Sequence, residues 1–334
     1  MSDVIPNSSS TVISEQICNP VEFMVDTVRL EFPPAPWRNQ PLDGWDESHI
    51  RSTHRGVGAP GQERHSEGRR MKYRALGLRV GGGLAGARWV EVSVPRLLHG
   101  SNVVLVESDE ELSRARGILN ELVSQVCECD LLSSGVLVSR LDLVVYIQCP
   151  VKDVIAAHRA TRHPKFRKGA GVFVGQSLVY RGRSRCCRFY DKAVEQKHGS
   201  SNETRGEWQL RPRALVADFG AMVPWASLRL ADCYRVLRSL CLGFQPSAVP
   251  KGGTTIYDFF AMLECEEVTI RSVPVVDLYL KGLKPSSVNR VRKEIAKRRP
   301  AVMGFNWDKL LPPDFEAYLA IRPNGGKEGI SPRK

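Results

Sequence analysis

Alternating apolar and polar residues predict several of the strands in this chain. Strand side chains point to opposite faces in turn, so an alternating run predicts one buried face and one polar face. Such runs occupy residues 25–32, 88–94 and 205–211. A strongly apolar run interrupted by Arg140 and Asp142 predicts a further strand at 138–148, and residues 173–180 and 185–192 are also predicted to be strands. The strands predicted at 173–180 and 185–192 flank Arg181-Gly182-Arg183-Ser184, a sequence that predicts a hairpin turn.

Apolar residues at three- and four-residue spacing predict helices between these strands. Ser108 and Glu111 form a capping box at the start of a helix that ends near residue 127. Residues 151–162 and 224–242 are also predicted to be helical. We therefore expect an α+β fold, in which a central, largely antiparallel sheet has helices packed on one face.

Four segments differ in composition and predict the domain organisation. Residues 1–20 are polar and predict a disordered N-terminus, and residues 21–244 hold the alternating runs and form the predicted folded body. Residues 245–322 predict a mainly helical, basic C-terminal region, and 323–334 a tail. Residues 51–70 are basic and rich in glycine, and predict a mobile loop or a hairpin tip.

The net charge indicates the kind of partner. The chain has 334 residues and a formal charge of +12, with a pI near 9.4, which is typical of proteins that bind a polyanion, most often nucleic acid. The densest basic segment, 281–299, supplies candidate DNA-backbone contacts at Arg290, Arg292, Lys293 and Lys297. A solvated basic helix face explains the same residues equally well.

Membrane and secretory signals are missing from the sequence. No apolar run is long enough to cross a membrane, and the N-terminal residues contain no apolar signal-peptide core. The nine cysteines include no C-x-x-C pair, so we expect reduced thiols rather than a zinc site. These features predict a cytoplasmic protein with no membrane partner.

Tyr190 is the strongest candidate for a catalytic residue. If residues 185–192 form a strand, Arg188, Tyr190 and Lys192 share one face. Two cations beside a tyrosine can hold a phosphate and favour the phenolate, as a phosphate-attacking nucleophile requires. The alternative is a half-exposed structural tyrosine stacked on arginine.

Three carboxylates interrupt strands that are otherwise apolar on one face. Glu91, Asp142 and Glu207 would together form a site for a hard cation, Mg²⁺ or Mn²⁺. The alternative is a set of salt bridges to nearby arginines, namely Arg140, Arg188, Arg205 or Arg211. The chain has no Walker-type phosphate loop, so ATP-driven helicase activity has no support. It also has no His-hydrophobic-His pair, so any metal ion would be held mostly by carboxylates.

Four motifs in order resemble those of a known family. They are Val90–Val103, with Gly100-Ser101-Asn102-Val103 at its end; Ser139-Arg140-Leu141-Asp142; Arg183–Glu195, with Phe189-Tyr190-Asp191-Lys192; and Arg205-Gly206-Glu207-Trp208. This set resembles the gene II replication proteins of filamentous phages and, more distantly, the replication initiators of rolling-circle plasmids. The chain departs from the family pattern at Ser101, where histidine is usual.

The resemblance implies that residues 21–244 form a catalytic nicking domain. Tyr190 would attack a phosphodiester at the replication origin, form a 5′-phosphotyrosine, leave a 3′-OH primer and later reseal the strand. Lys192 and Arg188 would stabilise the phosphate charge, Glu91, Asp142 and Glu207 would hold Mg²⁺ or Mn²⁺, and Arg181, Arg183 and Arg185 would contact DNA. The implied partners are origin DNA, double- and single-stranded, with a host helicase and a DNA polymerase in the bacterial cytoplasm.

Two other functions fit the same sequence. A conjugative relaxase of the plasmid-initiator type would use the same chemistry on transfer DNA. A non-catalytic protein would use the arginine-rich strands and the basic C-terminal helix to hold origin or single-stranded DNA without cleaving it.

Overall fold

The computed structural model describes residues 21–38, 43–55, 63–102, 104–158, 161–166, 171–174, 177–195, 202–246 and 307–321. The chain divides into two compact units. The first comprises Met1–Glu22, Val145–Glu207 and Arg238–Lys334 and is called the Tyr190 unit below. The second comprises Phe23–Val144 and Trp208–Leu237 and is called the Asp142 unit.

Strands and helices alternate irregularly along the chain. The strands are β1 (Glu22–Ala35), β2 (Trp45–Arg55), β3 (Glu63–Tyr73), β4 (Leu78–Gly83), β5 (Gly86–Ser93), β6 (Leu137–Ile147), β7 (Thr161–Arg162), β8 (Val172–Val174), β9 (Ser177–Arg181), β10 (Arg185–Tyr190), β11 (Thr204–Leu210) and β12 (Gln245–Pro246). The helices are α1 (Val94–His99), α2 (Asp109–Ser124), α3 (Val151–His158), α4 (Lys192–Glu195), α5 (Pro212–Phe219), α6 (Leu230–Leu242), α7 (Trp307–Leu310) and α8 (Phe315–Ile321), with a 3₁₀ turn at Trp225–Ser227.

The Asp142 unit is built on a sheet with strand order β2-β3-β4-β5-β1-β6. The pairs β2–β3, β3–β4, β4–β5 and β1–β5 are antiparallel. Val80, Val90 and Leu30 align across three strands and are fully buried, so they form one apolar face. The alternation predicts the strands of Leu30 and Val90, whereas β4 is a strand that the sequence does not predict.

The Tyr190 unit contains the strand order β11-β10-β9-β8, in which β8–β9 and β9–β10 are antiparallel. Its core is aromatic. His158 stacks on Phe189 with ring centroids 4.6 Å apart, and Phe244 and Trp307 pack against the same imidazole. Burial lowers the pKa of His158 to about 3, so this imidazole is a neutral core side chain.

The α+β class and the antiparallel sheet are as the sequence predicts. Two predicted helices are too long. The helix expected over 151–162 ends at His158, with Thr161–Arg162 in strand β7, and the helix expected over 224–242 begins only at Leu230. The preceding residues pair with the start of β6 instead, because Val138 N–H donates to Val223 O and Trp225 N–H donates to Val136 O, each at 2.9 Å. Backbone groups committed to that pairing cannot begin a helix.

The hairpin alternative predicted for 51–70 agrees with the structure. Residues 51–55 belong to β2 and 63–70 to β3, and the two strands pair antiparallel, with Arg51 opposite Glu67. The predicted disordered N-terminus, the tail 323–334 and most of the basic C-terminal region lie outside the described residues; within that region the structure describes β12, α7 and α8. In the described part of the chain no helix is long and apolar enough to span a membrane.

Ser108 caps α2 as its sequence predicts, and removing the cap should destabilise the protein. The Ser108 hydroxyl accepts a hydrogen bond from Glu111 N–H at 3.2 Å. We expect Ser108→Ala to lower the free energy of unfolding by about 1 kcal/mol, the usual effect of losing a serine cap. Thermal unfolding followed by circular dichroism measures it. The control is Ser124→Ala at the other end of α2, where the hydroxyl donates only to Glu121 O; an equal loss in both variants would contradict a specific capping role.

Candidate active site around Tyr190

Tyr190 ends strand β10 and lies almost fully inside the Tyr190 unit, with 4% of its surface exposed. Its hydroxyl donates a hydrogen bond to Glu207 Oε2 at 2.9 Å. Glu207 lies on β11, the neighbour of β10 in the sheet of this unit. The structural alternative drawn from the sequence is a half-exposed tyrosine stacked on arginine. The structure shows the stacking, on Arg188, but it buries the side chain and gives its hydroxyl a carboxylate acceptor.

Two cations border the tyrosine ring. The Arg188 guanidinium lies over the ring with its Cζ 3.8 Å from the centroid, and Lys192 Nζ lies 5.8 Å from the same point. Both cations also contact Glu195: Arg188 Nη2 lies 3.1 Å from Oε1, and Lys192 Nζ 2.6 Å from Oε2. Burial opposes ionisation of Glu195, yet Lys192 and Arg188 hold its pKa below the usual value.

Arg205 completes the cluster, and the sequence predicts it only as a salt-bridge partner. It is 1% exposed, its Nε lies 3.5 Å from Glu207 Oε2, and one Nη donates to Tyr146 Oη at 2.5 Å. Arg205 and Glu207 are two residues apart on β11, so strand alternation places both on one face. The Arg205 guanidinium and the Tyr190 hydroxyl therefore both contact Glu207 Oε2.

Burial controls the protonation of Tyr190. Desolvation raises the pKa of its phenol far above the usual value of about 10. Arg205 and Arg188 favour the phenolate, while Glu207 and Glu195 oppose it. The phenol is therefore protonated at neutral pH, and it can act as a nucleophile only if a neighbouring group takes its proton as it attacks.

Lys192 does not occupy the strand position that the sequence predicts. Strand β10 ends at Tyr190, and Lys192 is the first residue of α4. Asp191 causes the change, because its Oδ1 accepts hydrogen bonds from Ala193 N–H at 2.9 Å and Val194 N–H at 3.3 Å, as an N-cap does. Lys192 nevertheless stays beside the tyrosine ring.

The other two predicted carboxylates are held by arginines in the Asp142 unit. Arg140 binds Asp142 through two hydrogen bonds of 2.9 and 2.5 Å, and its Nη1 lies 3.6 Å from Glu91 Oε2. Arg79 Nη2 lies 2.5 Å from Glu91 Oε1. Both carboxylates are more than nine-tenths buried, and pairing with arginine offsets the cost of burying them.

These carboxylates do not fit a metal centre as they stand. Arg140 occupies the space between Glu91 and Asp142 that a cation would need, and Glu207 is engaged by Tyr190 and Arg205. Within the described ranges no group of three or more His, Cys, Asp or Glu residues is placed to hold a metal ion. The arrangement resembles the salt-bridge alternative, and a requirement for Mg²⁺ or Mn²⁺ stays a prediction.

The predicted DNA-contacting arginines and lysines fall into two groups, one near the β9–β10 turn and one in the basic C-terminal region. Arg181 and Arg183 are exposed at the turn between β9 and β10, and Arg185 is the first residue of β10. The turn is closed by Gly182 N–H, which donates to Arg185 O at 2.8 Å. Arg290, Arg292, Lys293 and Lys297 lie outside the described residues.

No protein-family model and no curated protein matches the sequence. Among solved structures, the chain is similar to a rolling circle replication initiator protein from Geobacillus stearothermophilus, with a TM-score of 0.35 and 16% identity. The match covers 70% of this chain and 89% of that chain. A TM-score this low does not establish a common fold, so what the chain does must follow from its own residues.

Proposed function

We propose that this chain initiates rolling-circle DNA replication as a site-specific single-strand endonuclease and strand transferase. The observation that carries the proposal is the hydrogen bond from the Tyr190 hydroxyl to Glu207, with Arg188 stacked on the ring and Arg205 behind the carboxylate. A nucleophile, a proton acceptor and an orienting cation in contact form the arrangement expected of an activated nucleophile. The order of the four sequence motifs supplies the choice of DNA as substrate.

The proposed reaction is a transesterification in which every atom is accounted for. Glu207 takes the phenolic proton while Tyr190 Oη forms a bond to phosphorus. The bond from phosphorus to the 3′ oxygen breaks, and that oxygen takes a proton from water to become a free 3′-OH, while the proton on Glu207 is returned to solvent. The reverse reaction reseals the strand, and since the phosphotyrosine conserves the bond energy, sealing needs no ATP.

Arg188 and Lys192 supply the charge that the phosphate needs. In the free protein both are paired with Glu195, which is part-exposed and carries the negative charge in this position. We propose that the scissile phosphate displaces Glu195 and is held by these two cations, whose attraction grows as charge develops on the phosphoryl oxygens. The exposed Arg181 and Arg183 would contact the flanking backbone.

The partners follow from this chemistry. A free 3′-OH primes a DNA polymerase, and the chain has no Walker-type loop with which to open a duplex itself. We therefore propose that a host polymerase and a host helicase act on the nicked origin. A conjugative relaxase would run the same reaction, and the genes beside this one distinguish the two.

A nicking assay tests the proposal. We expect the purified chain, incubated with Mg²⁺ and a supercoiled plasmid carrying the origin of the replicon that encodes it, to yield relaxed circles and DNA linked to protein at a 5′ end. A plasmid without the origin is the control. Binding without nicking would instead identify a non-catalytic DNA-binding protein.

The same assay in EDTA measures the metal requirement. We retain the prediction that nicking stops when Mg²⁺ and Mn²⁺ are chelated and returns when either is added back. Nicking at an unchanged rate in EDTA would contradict this metal requirement. The charge on the phosphate would then be stabilised by the arginines and Lys192 alone.

A further inference from the structure

One face of the sheet in the Asp142 unit carries two cross-strand rows that are rich in cations. The first row is Arg70, Gly81, Trp89 and Glu31, and the second is Lys72, Arg79, Glu91 and Arg29. The face opposite to these rows is the buried apolar face of the same strands. Four cations against two carboxylates give the rows a net positive charge, which attracts an anionic ligand.

Gly81 brings the Trp89 ring down onto the sheet. A Cβ at this position would lie 2.2 Å from the indole, so a side chain here would force the ring to move. The indole therefore packs closely against β4 at residue 81, and the absence of a side chain there is what permits it. A flat aromatic surface embedded in a polar sheet face is a geometry used for stacking bases.

Two arginines lie on this indole with no carboxylate partner. The Arg29 guanidinium is 4.1 Å from the Trp89 ring centroid and the Arg70 guanidinium 5.8 Å. Over the part of the chain that the structure describes, neither arginine takes part in an ion pair, and the Nε of each is buried without a hydrogen-bond partner. Arg79, by contrast, is paired with Glu91. The Arg29 and Arg70 charges are left available for an external anion.

We infer that Arg29, Trp89 and Arg70 form a binding site for single-stranded DNA. The two guanidiniums contact backbone phosphates, and an unpaired base stacks against the exposed part of the Trp89 indole beside them. A duplex keeps its base faces stacked on one another, so it can use the arginines but not the indole. The choice of DNA rests on the proposed function, and the site deepens it by giving the nicked strand a place on the sheet.

Anisotropy of a fluorescein-labelled oligothymidine, measured over a range of salt concentrations, tests the site. We expect the double variant Arg29→Gln/Arg70→Gln to reduce the slope of log affinity against log salt by about 0.7 for each phosphate that the two arginines neutralise. Trp89→Leu should weaken binding roughly ten-fold, while Trp89→Phe, which keeps an aromatic plane, should weaken it much less. Affinity for a duplex should depend on the two arginines but not on the residue at 89.

Arg88→Gln is the matched control, because Arg88 is an exposed cation on the same strand, next to Trp89 in sequence. Melting temperatures identify any variant that fails to fold, and the double arginine variant alters no buried apolar side chain. Wild-type slope in the double variant, or an equal change in Arg88→Gln, would overturn the site. Nicking of the origin plasmid is measured separately. The binding-site proposal can therefore be wrong while the proposed nicking function holds, and the nicking function can be wrong while the binding site holds.

Discussion

Replacing Tyr190 with Phe is expected to abolish nicking and the covalent protein–DNA product. The phenyl ring still packs under Arg188, but the oxygen that would attack phosphorus is gone. Loss of a nucleophile lowers turnover on the order of 10⁶-fold, which places this variant below detection. The fold should survive, because the variant gives up one hydrogen bond, worth about 1 kcal/mol, and Glu207 stays paired with Arg205. Gel separation of supercoiled and relaxed plasmid measures nicking, and labelled DNA retained by denatured protein measures the covalent link.

Tyr180→Phe is the control for the general effect of removing a buried phenol oxygen. Tyr180 lies on β9 of the same unit, is fully buried, and donates its hydroxyl to His158 O at 2.9 Å. This variant should lose a similar amount of stability and keep its nicking activity. Covalent attachment of a 5′ end by Tyr190→Phe would show that another residue is the nucleophile. Equal loss of nicking in both variants would reduce Tyr190 to a structural role.

The fold is predictable where one face of a strand is buried. Leu30 on β1 and Val90 on β5 lie opposite each other and are buried, and each belongs to a run, 25–32 or 88–94, in which apolar and polar residues alternate in the sequence. The hairpin of β2 and β3 is not predictable in this way, because its strands are polar and rich in charge and carry no such alternation. The pairing of 223–225 with the start of β6 depends on tertiary contacts that local periodicity cannot express.

The residues of the candidate site are predictable, but their partners are not. The sequence identifies Tyr190, Arg188 and Glu207, yet nothing in it states that β10 and β11 bring a phenol and a carboxylate to 2.9 Å. Arg205 is only one of four possible salt-bridge partners in the sequence, although strand alternation places it beside Glu207. For Asp142 the sequence suggests the wrong partner. An acid in an apolar strand suggests a metal ligand, whereas in the structure Asp142 pairs with Arg140, two residues before it.

Glu207→Gln is expected to slow nicking by about 10²- to 10⁴-fold, the usual contribution of a general base. The amide oxygen can still accept a hydrogen bond from Tyr190 Oη, but the amide cannot take the proton. Burial keeps the pKa of Tyr190 far above neutrality, so in this variant the phenol stays protonated and hydroxide must remove its proton. The nicking rate of Glu207→Gln should therefore rise about ten-fold per pH unit, whereas the wild-type rate, in which Glu207 takes the proton, should not follow hydroxide in this way. Single-turnover nicking across a pH series measures both profiles.

The matched control is Glu203→Gln, since Glu203 lies in the same unit just before β11 and accepts a hydrogen bond from Gln148 at 2.7 Å. It should keep the wild-type rate and pH profile. If Glu207 holds a metal ion, as the sequence suggests, its Gln variant should recover activity at high Mg²⁺ and show no new slope with pH. If Glu207 is only structural, the variant should melt earlier than Glu203→Gln and keep the wild-type profile. A new slope with unchanged melting is the one result that assigns the proton of Tyr190 to Glu207, because neither a metal ligand nor a packing residue would make the rate follow hydroxide.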